Sequence, residues 1–353
     1  MTDDALLAFH RSLVATPSVS GDEGAAAGRA VETLRAGGVE PVRVGDSLWA
    51  ATGREGPVLV LDSHLDTVPP SPGWTMAPWT PLVIDGRVHG LGSNDAKASV
   101  AAMAAAFLRI HAAGGLPGAR LALALAAGEE TSGHGSAELR AALDGAGLHP
   151  AAAVIGEPTG LDVSVSQKGL LILELRAKGE SCHAAHGRAL GAANAARQLA
   201  RDLVALDAAY LGPPDPGLGP VTLEPTEMRA GVARNVIPDR ATCVLDVRTN
   251  PSETHDALVG RLRGFVRSEL AVLSDRLVPC AVDPCDPLVA AALAARPGAK
   301  AFASRGVSDW VWFRDVPAVK AGPGRTERSH TADEFVLESE VRDGARFYEA
   351  LAR

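Results

Sequence analysis

The sequence predicts an α/β fold: a mixed, largely parallel sheet flanked by helices, plus an inserted α+β domain with an antiparallel sheet. Three observations carry this. VLVLD at 58–62, LALALA at 121–126 and AAAVI at 151–155 are short, continuous apolar runs, as expected of strands buried on both faces. Helical patterns separate them, and strand–helix alternation argues for a parallel sheet. From about residue 168 to 283 the pattern changes to strands of alternating polarity with two helices. A discontinuous first domain at 1–167 and 284–353 would then enclose a second at 168–283. At 353 residues the chain is long enough for two such domains.

The elements follow in order. Residues 2–36 read as two helices broken at TPSVSGDEG, where Pro17 and Gly21 interrupt the pattern. PVRVGDSLWAAT is a strand pair with a tight turn, and VLVLDSH the first buried strand. A helix spans Lys97 to Ala113, a strand ARLALALA, a helix Ser136 to Gly145, and a strand AAAVI. In the inserted region GLLILELRAKG alternates as an antiparallel strand does. A helix is expected from about Ala189 to Leu206, then a Pro/Gly-rich loop and the strands VTLEPTEMRAG and ATCVLDVRT. Ser252 to Leu273 reads as helical. The chain returns to α/β character after PCDPLVAAAL and ends in a helix from about Glu338.

Composition narrows the function classes. Hydrophobic residues make up 46% and charged ones 22%, ordinary for a globular protein with a large core. Aromatics are only 4%, so that core is expected to be Ala, Leu and Val. A net charge of −8 argues against a general binder of nucleic acid or anionic membrane. The acidic N-terminus and the absence of a long apolar segment point to a cytoplasmic protein. Cys182, Cys243, Cys280 and Cys285 form no CxxC pair and read as free thiols.

Candidate chemistry gathers where buried strands end. SHLDTVP places His64 and Asp66 after the first strand, at the edge where open α/β sheets bind ligands. GLGSNDAKAS brings Asp95 to a helix start. Glu129 and Glu130 follow LALALAAG, Glu157 follows AAAVI, and His330 lies in SHTADE. Each alone has an ordinary reading as a cap, a turn or a solvated pair. Together, two His and several carboxylates suit divalent metal ions. No HExxH, P-loop or GxSxG motif is present. Two adjacent acids at a buried strand end also demand a compensating positive charge. Without it, one of them is expected to titrate high.

The ordered set HLD, GxGxxDxK, GEE, GEP and a late His resembles the M20 dinuclear metallopeptidase/deacylase family, over nearly the whole chain. That resemblance implies a zinc-peptidase-like catalytic domain with an inserted lid and dimerisation domain. It implies two zinc ions, replaceable by cobalt, on His64, Asp95, Glu130, Glu157 and His330, with Asp95 bridging. Asp66 would orient His64, and Glu129 would be the general base. In the inserted domain His183, in KGESCHAAHG, would stabilise the oxyanion; His186 is the competing candidate. Asn235 in RNVIPDRA and Arg248 in LDVRT would contact substrate, Arg248 through a forked carboxylate pair. The chain departs from the family in having Gly90-Leu91-Gly92 for GRG and His186 where a proline is usual.

The ending GVSDWVWF…GRTERSH resembles the branch that removes an N-acyl group or an amino-group carrier protein from ornithine or lysine, in lysine and arginine biosynthesis. Asp309 would there read a distal amine. The expected partners are a small N-acyl amino acid or a carrier-linked one, and a second copy of the chain. A dipeptidase, an aminoacylase and a succinyl-diaminopimelate desuccinylase are alternatives within the family. A catalytically idle dimeric binding homologue is a remote one.

Overall fold

A computed structural model describes residues 1–353. The chain divides into two compact units: residues 1–165, 281–302 and 308–353, and residues 166–280 with 303–307. In chain order the structure opens with α1 (Asp3–Val14), α2 (Gly24–Ala36), β1 (Val42–Val44), β2 (Ser47–Thr52) and β3 (Val58–His64). Next come β4 (Leu82–Ile84), β5 (Arg87–His89), α3 (Lys97–Ala112), β6 (Arg120–Ala126), α4 (His134–Gly145), β7 (Pro150–Ile155) and β8 (Val163–Gln167). β9 (Gly169–Lys178), α5 (Ala195–Asp207), β10 (Thr222–Ala230), β11 (Arg240–Thr249), α6 (His255–Arg263) and β12 (Glu269–Leu277) follow. The last stretch holds β13 (Cys280–Ala281), α7 (Pro287–Ala295), β14 (Ala301–Ser304), β15 (Ala318–Lys320), β16 (Phe335–Leu337) and α8 (Glu338–Ala352).

In the first unit the main sheet runs β1-β2-β6-β3-β7-β15, with β8 and β13 following. β6, β3, β7 and β15 are mutually parallel. Their registers, His64 opposite Ala126, Asp62 opposite Ile155, and Lys320 opposite Ile155, bring four carboxyl ends to one edge. α3 explains the Ala-rich run. All of its residues from Lys97 to Leu108 are buried, so small side chains let it pack closely on every side. The core joins these alanines to Leu, Val and a few large rings, Phe107, Phe347 and Tyr348. A separate three-stranded sheet, β16-β5-β4, was not expected from the sequence.

The second unit is a four-stranded sheet in the order β10-β11-β9-β12, with antiparallel pairing throughout. Leu171, Leu173, Leu175 and Ala177 alternate with more exposed neighbours on β9, as do Ala241, Cys243, Leu245 and Val247 on β11. That buried face packs against Leu199 and Leu206 of α5 and Leu258 and Leu262 of α6. One expected helix is shorter: α6 stops at Arg263, and residues expected to continue it form β12. Gly264 ends the helix, and pairing with β9 then sets the conformation of the next segment. α5 also begins at Ala195 rather than near Ala189. No helix is long and apolar enough to cross a membrane. All four cysteines are free.

Candidate metal centre

The carboxyl edge of the first unit's sheet carries the cluster. His64 is the last residue of β3, Glu129 and Glu130 follow β6, and Glu157 follows β7. Asp95 lies in the glycine-rich loop before α3, and His330 in the loop before β16. Gly92 is required in that first loop. Its φ is +76°, and a Cβ there would come within 2.5 Å of Thr67 Cγ2. The Asp95–Ala96 peptide is cis.

Three groups of side chains bring their potential ligand atoms within 4.8 Å of one another: His64 with Asp95 and Glu157, His64 with Glu129 and Glu130, and Asp95 with Glu130 and His330. Asp95 belongs to two of the groups. His64 Nδ1 lies 3.2 Å from the Asp66 carbonyl oxygen and 3.3 Å from Asp66 Oδ1. With its proton on Nδ1, the ring turns Nε2 toward Asp95 Oδ1 at 3.3 Å and Glu157 Oε1 at 4.0 Å. Asp95 Oδ1 is buried and has no hydrogen bond. His330 Nε2 lies 2.9 Å from Glu130 Oε1 and 3.8 Å from Asp95 Oδ2. Lone pairs facing lone pairs in a buried site are what a cation would relieve. Imidazole and carboxylate donors without thiolate suit zinc, manganese or cobalt. The residues present therefore fit divalent ions.

The ion-free electrostatics agree. Burial pushes Glu129 well above the ordinary carboxylate range, and Glu157, Asp309 and Glu130 push the same way against His64. Burial and then Asp95 lift Glu157 to about 8. Burial acts to lower His64, but its bonds to Asp66 and Asp95 outweigh that and hold it well above its ordinary value. His330, half-exposed, is lifted to about 9, chiefly by Glu130. Protons thus stand where the missing positive charge belongs.

Asp66 does more than orient His64. Its Oδ1 accepts from Glu129 N at 3.1 Å, and its Oδ2 from Glu130 N at 3.0 Å and Ser20 Oγ at 2.7 Å. One carboxylate thereby fixes both the histidine and the paired glutamates. Burial opposes its ionisation, but the bond to His64 prevails and holds it at about 2.

Other expected residues sit differently. Asp309 is buried, and its Oδ2 accepts from Ser136 Oγ at 2.7 Å. Ser136 Oγ also lies 3.1 Å from both carboxylate oxygens of buried Asp62, so Asp309 sits in a buried cluster with Ser136 and Asp62. In the second unit Arg248 donates through Nε and Nη2 to Asp246, at 2.7 and 3.0 Å. The two residues share one face of β11 at i and i+2, so the fork expected on a substrate already holds the chain's own carboxylate. His183 and Asn235 are exposed and brought together: Ala184 N donates to the Asn235 carbonyl at 2.8 Å. The His183 and His186 rings lie 5.7 Å apart.

The sequence reading also passed over several residues. Asn94 is buried; its Oδ1 accepts from Arg325 N at 2.8 Å, and its Nδ2 donates to the Arg325 carbonyl at 3.1 Å. Lys97 Nζ donates to the Leu13 and Thr16 carbonyls, each at 3.0 Å. Glu334 accepts three backbone N–H bonds. The available signal was their membership of the same short motifs as Asp95 and His330.

Comparison with known proteins agrees with this arrangement. Residues 60–353 match the family described as Peptidase family M20/M25/M40. A succinyl-diaminopimelate desuccinylase of Phenylobacterium zucineum is 31% identical over 379 residues, covering 97% of this chain and 96% of the relative. One from Bordetella petrii is 31% identical over 277 residues, 75% of this chain and 72% of the relative. Among solved structures, a tripeptidase of Staphylococcus aureus superposes with TM-score 0.82 at 21% identity, covering 100% of this chain and 99% of that one. A Bacillus subtilis protein described as a dinuclear metal binding peptidase from the M20 family gives TM-score 0.74 at 18% identity, covering 99% and 97%. With the family matched across most of its length and the family's His and carboxylate motifs at one sheet edge, this chain belongs to peptidase family M20/M25/M40, a family of metal-dependent hydrolases.

Proposed function

We propose that the protein is a dinuclear metal-dependent amidohydrolase that cleaves the linear amide of an N-acyl amino acid. The observation that carries this is the pair of ligand groups sharing Asp95, with Glu129 partly buried beside them. His64, Asp95 and Glu157 would hold one ion, and Asp95, Glu130 and His330 the other. Zinc is the expected metal, with cobalt as a substitute. When bound, the ions supply Lewis acidity that polarises the scissile carbonyl and acidifies the attacking water. Glu129 takes the proton from that water and passes it to the leaving nitrogen. Asp66 keeps His64 in the tautomer that leaves Nε2 open. His183 is the candidate donor to the developing oxyanion, in a homodimer formed through the second unit. Exposed Val204, Met228 and Leu273 of that unit suit such an interface.

Relatives named succinyl-diaminopimelate desuccinylase favour a succinyl amide of a diamino acid, which would place the reaction in lysine biosynthesis. The sequence around Ser308–Asp309 and His330 favours N-acetyl or carrier-linked ornithine or lysine as a second reading. A substrate panel decides: succinyl-diaminopimelate, acetylornithine, acetyllysine and dipeptides, each with the zinc-loaded and cobalt-loaded protein. Glu129→Gln should retain bound metal and lose turnover by about 100-fold or more. Retained turnover would remove Glu129 as base. No hydrolysis of any substrate by metal-loaded protein would overturn the reading.

A further inference from the structure

Glu334 lies four residues after His330, and its side chain does not point at the metal cluster. It is almost fully buried, and all of its bonding goes to the loop that carries Asp95. Oε1 accepts from Asn94 N at 2.8 Å and Asp95 N at 2.9 Å, and Oε2 accepts from Gly92 N at 3.1 Å. Its own carbonyl accepts from Gly90 N at 3.0 Å, with Ser93 Oγ at 3.4 Å. One residue thus gathers donors from nearly every position of 90–95.

Besides Glu334, that loop is held by His10 Nε2 at 2.8 Å from the Ser93 carbonyl oxygen and by Leu91 N donating to the Pro78 carbonyl at 2.8 Å. It lies outside strand and helix, and Gly90 and Gly92 both have positive φ. Buried backbone N–H groups need acceptors. Here a single carboxylate supplies three, in the arrangement by which successive N–H groups form an anion nest. The segment on the other side is equally constrained. His330 has φ +59° and Asp333 φ +55°, both unusual for residues with a side chain. Asp333 accepts from Thr75 N at 2.9 Å and Met76 N at 3.0 Å. Asn94 completes the stitching by its two-way bond with Arg325 and an Nδ2 bond to Ser329 Oγ at 3.3 Å.

We infer that Glu334 is a positioning residue for the metal centre: it couples the Asp95 loop to the His330 loop, so that the two side chains arrive at a fixed separation. The inference rests on the reading that Asp95 and His330 hold metal, and it extends that reading to a residue that touches neither metal nor substrate. Asp66 does the corresponding work for the other half of the cluster, tying His64 to the Glu129–Glu130 turn. Outer groups of this kind fix ligand geometry and thereby set affinity.

The test separates positioning from stability by means of a second carboxylate clamp in the other unit, which holds none of the proposed metal ligands. Asp202, in the second unit, is also buried and accepts from Arg267 N and Ser268 N, each at 3.0 Å. The parent protein, Glu334→Ala, Glu334→Gln and Asp202→Ala are stripped with chelator and titrated with cobalt(II) chloride. Heat and visible absorption follow uptake, and thermal unfolding is measured on the stripped forms. The parent should take up two equivalents. Glu334→Ala should bind at least one of them about tenfold more weakly or worse. Glu334→Gln should fall between, because it keeps an oxygen for Asn94 N and Asp95 N but turns an amide toward Gly92 N. Asp202→Ala should lose thermal stability and bind both equivalents as the parent does.

Parent-like uptake of both equivalents by a folded Glu334→Ala, with a stability loss like that of Asp202→Ala, overturns the inference. If Glu334→Ala does not fold, Glu334→Gln decides, and parent-like uptake there overturns it. A parent that takes up no cobalt overturns the metal reading itself, a result distinct from a parent that loads normally while the variants match it.

Discussion

At the scale of single residues, His330 shows what the cluster does without its ions. Its ordinary pKa of 6.5 is lifted to about 9 by the bond to Glu130. The proton it gains stabilises the ion-free fold fully below its ordinary value, and that contribution is lost as pH rises through about 9. Metal needs the neutral ring, so loading must expel this proton, and Glu157, lifted to about 8, must lose one as well. Metal affinity should therefore rise with pH between 6.5 and 9, with net proton release. Calorimetric titration in buffers of different ionisation enthalpy measures that release; uptake without it would contradict the assignment. Which residues could be read from the sequence follows the same physics. His64, Glu129, Glu130 and Glu157 stand out because a polar residue ending a buried apolar run is conspicuous. The clamp by Glu334 is invisible there, since nothing in SHTADE says where three backbone N–H groups of another loop will point. Arg248 and Asp309, expected as substrate contacts, are engaged by Asp246 and Ser136, partners that the sequence pattern does not single out.

At the scale of elements, hydrophobic period carried most of the reading. Continuous runs became β3, β6 and β7, and alternating ones became β9 and β11. The pattern failed where tertiary pairing overrides local preference, as in β12, which looked helical until β9 offered it an edge. It also failed for strands of three residues, β4, β5 and β16, which are too short to show a period. Gly156 marks the contact that holds the glutamate-bearing end of β7. A Cβ there would lie 2.8 Å from Met103 Cε and 2.9 Å from Ser99 Cβ, both on α3. Gly156→Ala should push helix from sheet and destabilise the fold by about 1–3 kcal/mol. Denaturant unfolding of the ion-free protein checks this, and an unchanged midpoint would show that α3 can yield.

At the scale of the whole molecule, two units with separate cores meet metal unequally, since every proposed ligand lies in the first. Ions that bind only the folded state stabilise it by about 4 kcal/mol each when present at ~1,000 times Kd. Chelation should therefore lower the unfolding transition of the first unit and leave that of the second in place. Scanning calorimetry with and without chelator would resolve this, and a shift common to both would mean that they unfold as one. The discontinuity of the first unit has a further consequence during synthesis. By the time residue 165 leaves the ribosome, His64, Asp95, Glu129, Glu130 and Glu157 have all been made. Their sheet still lacks β15, and Asp95's loop still lacks the acceptor for its backbone. The whole second unit must be translated before His330 and Glu334 appear. A growing chain thus carries a concentrated, half-built set of acids for about half of its synthesis, and the pocket can close around metal only after the last strands have been made.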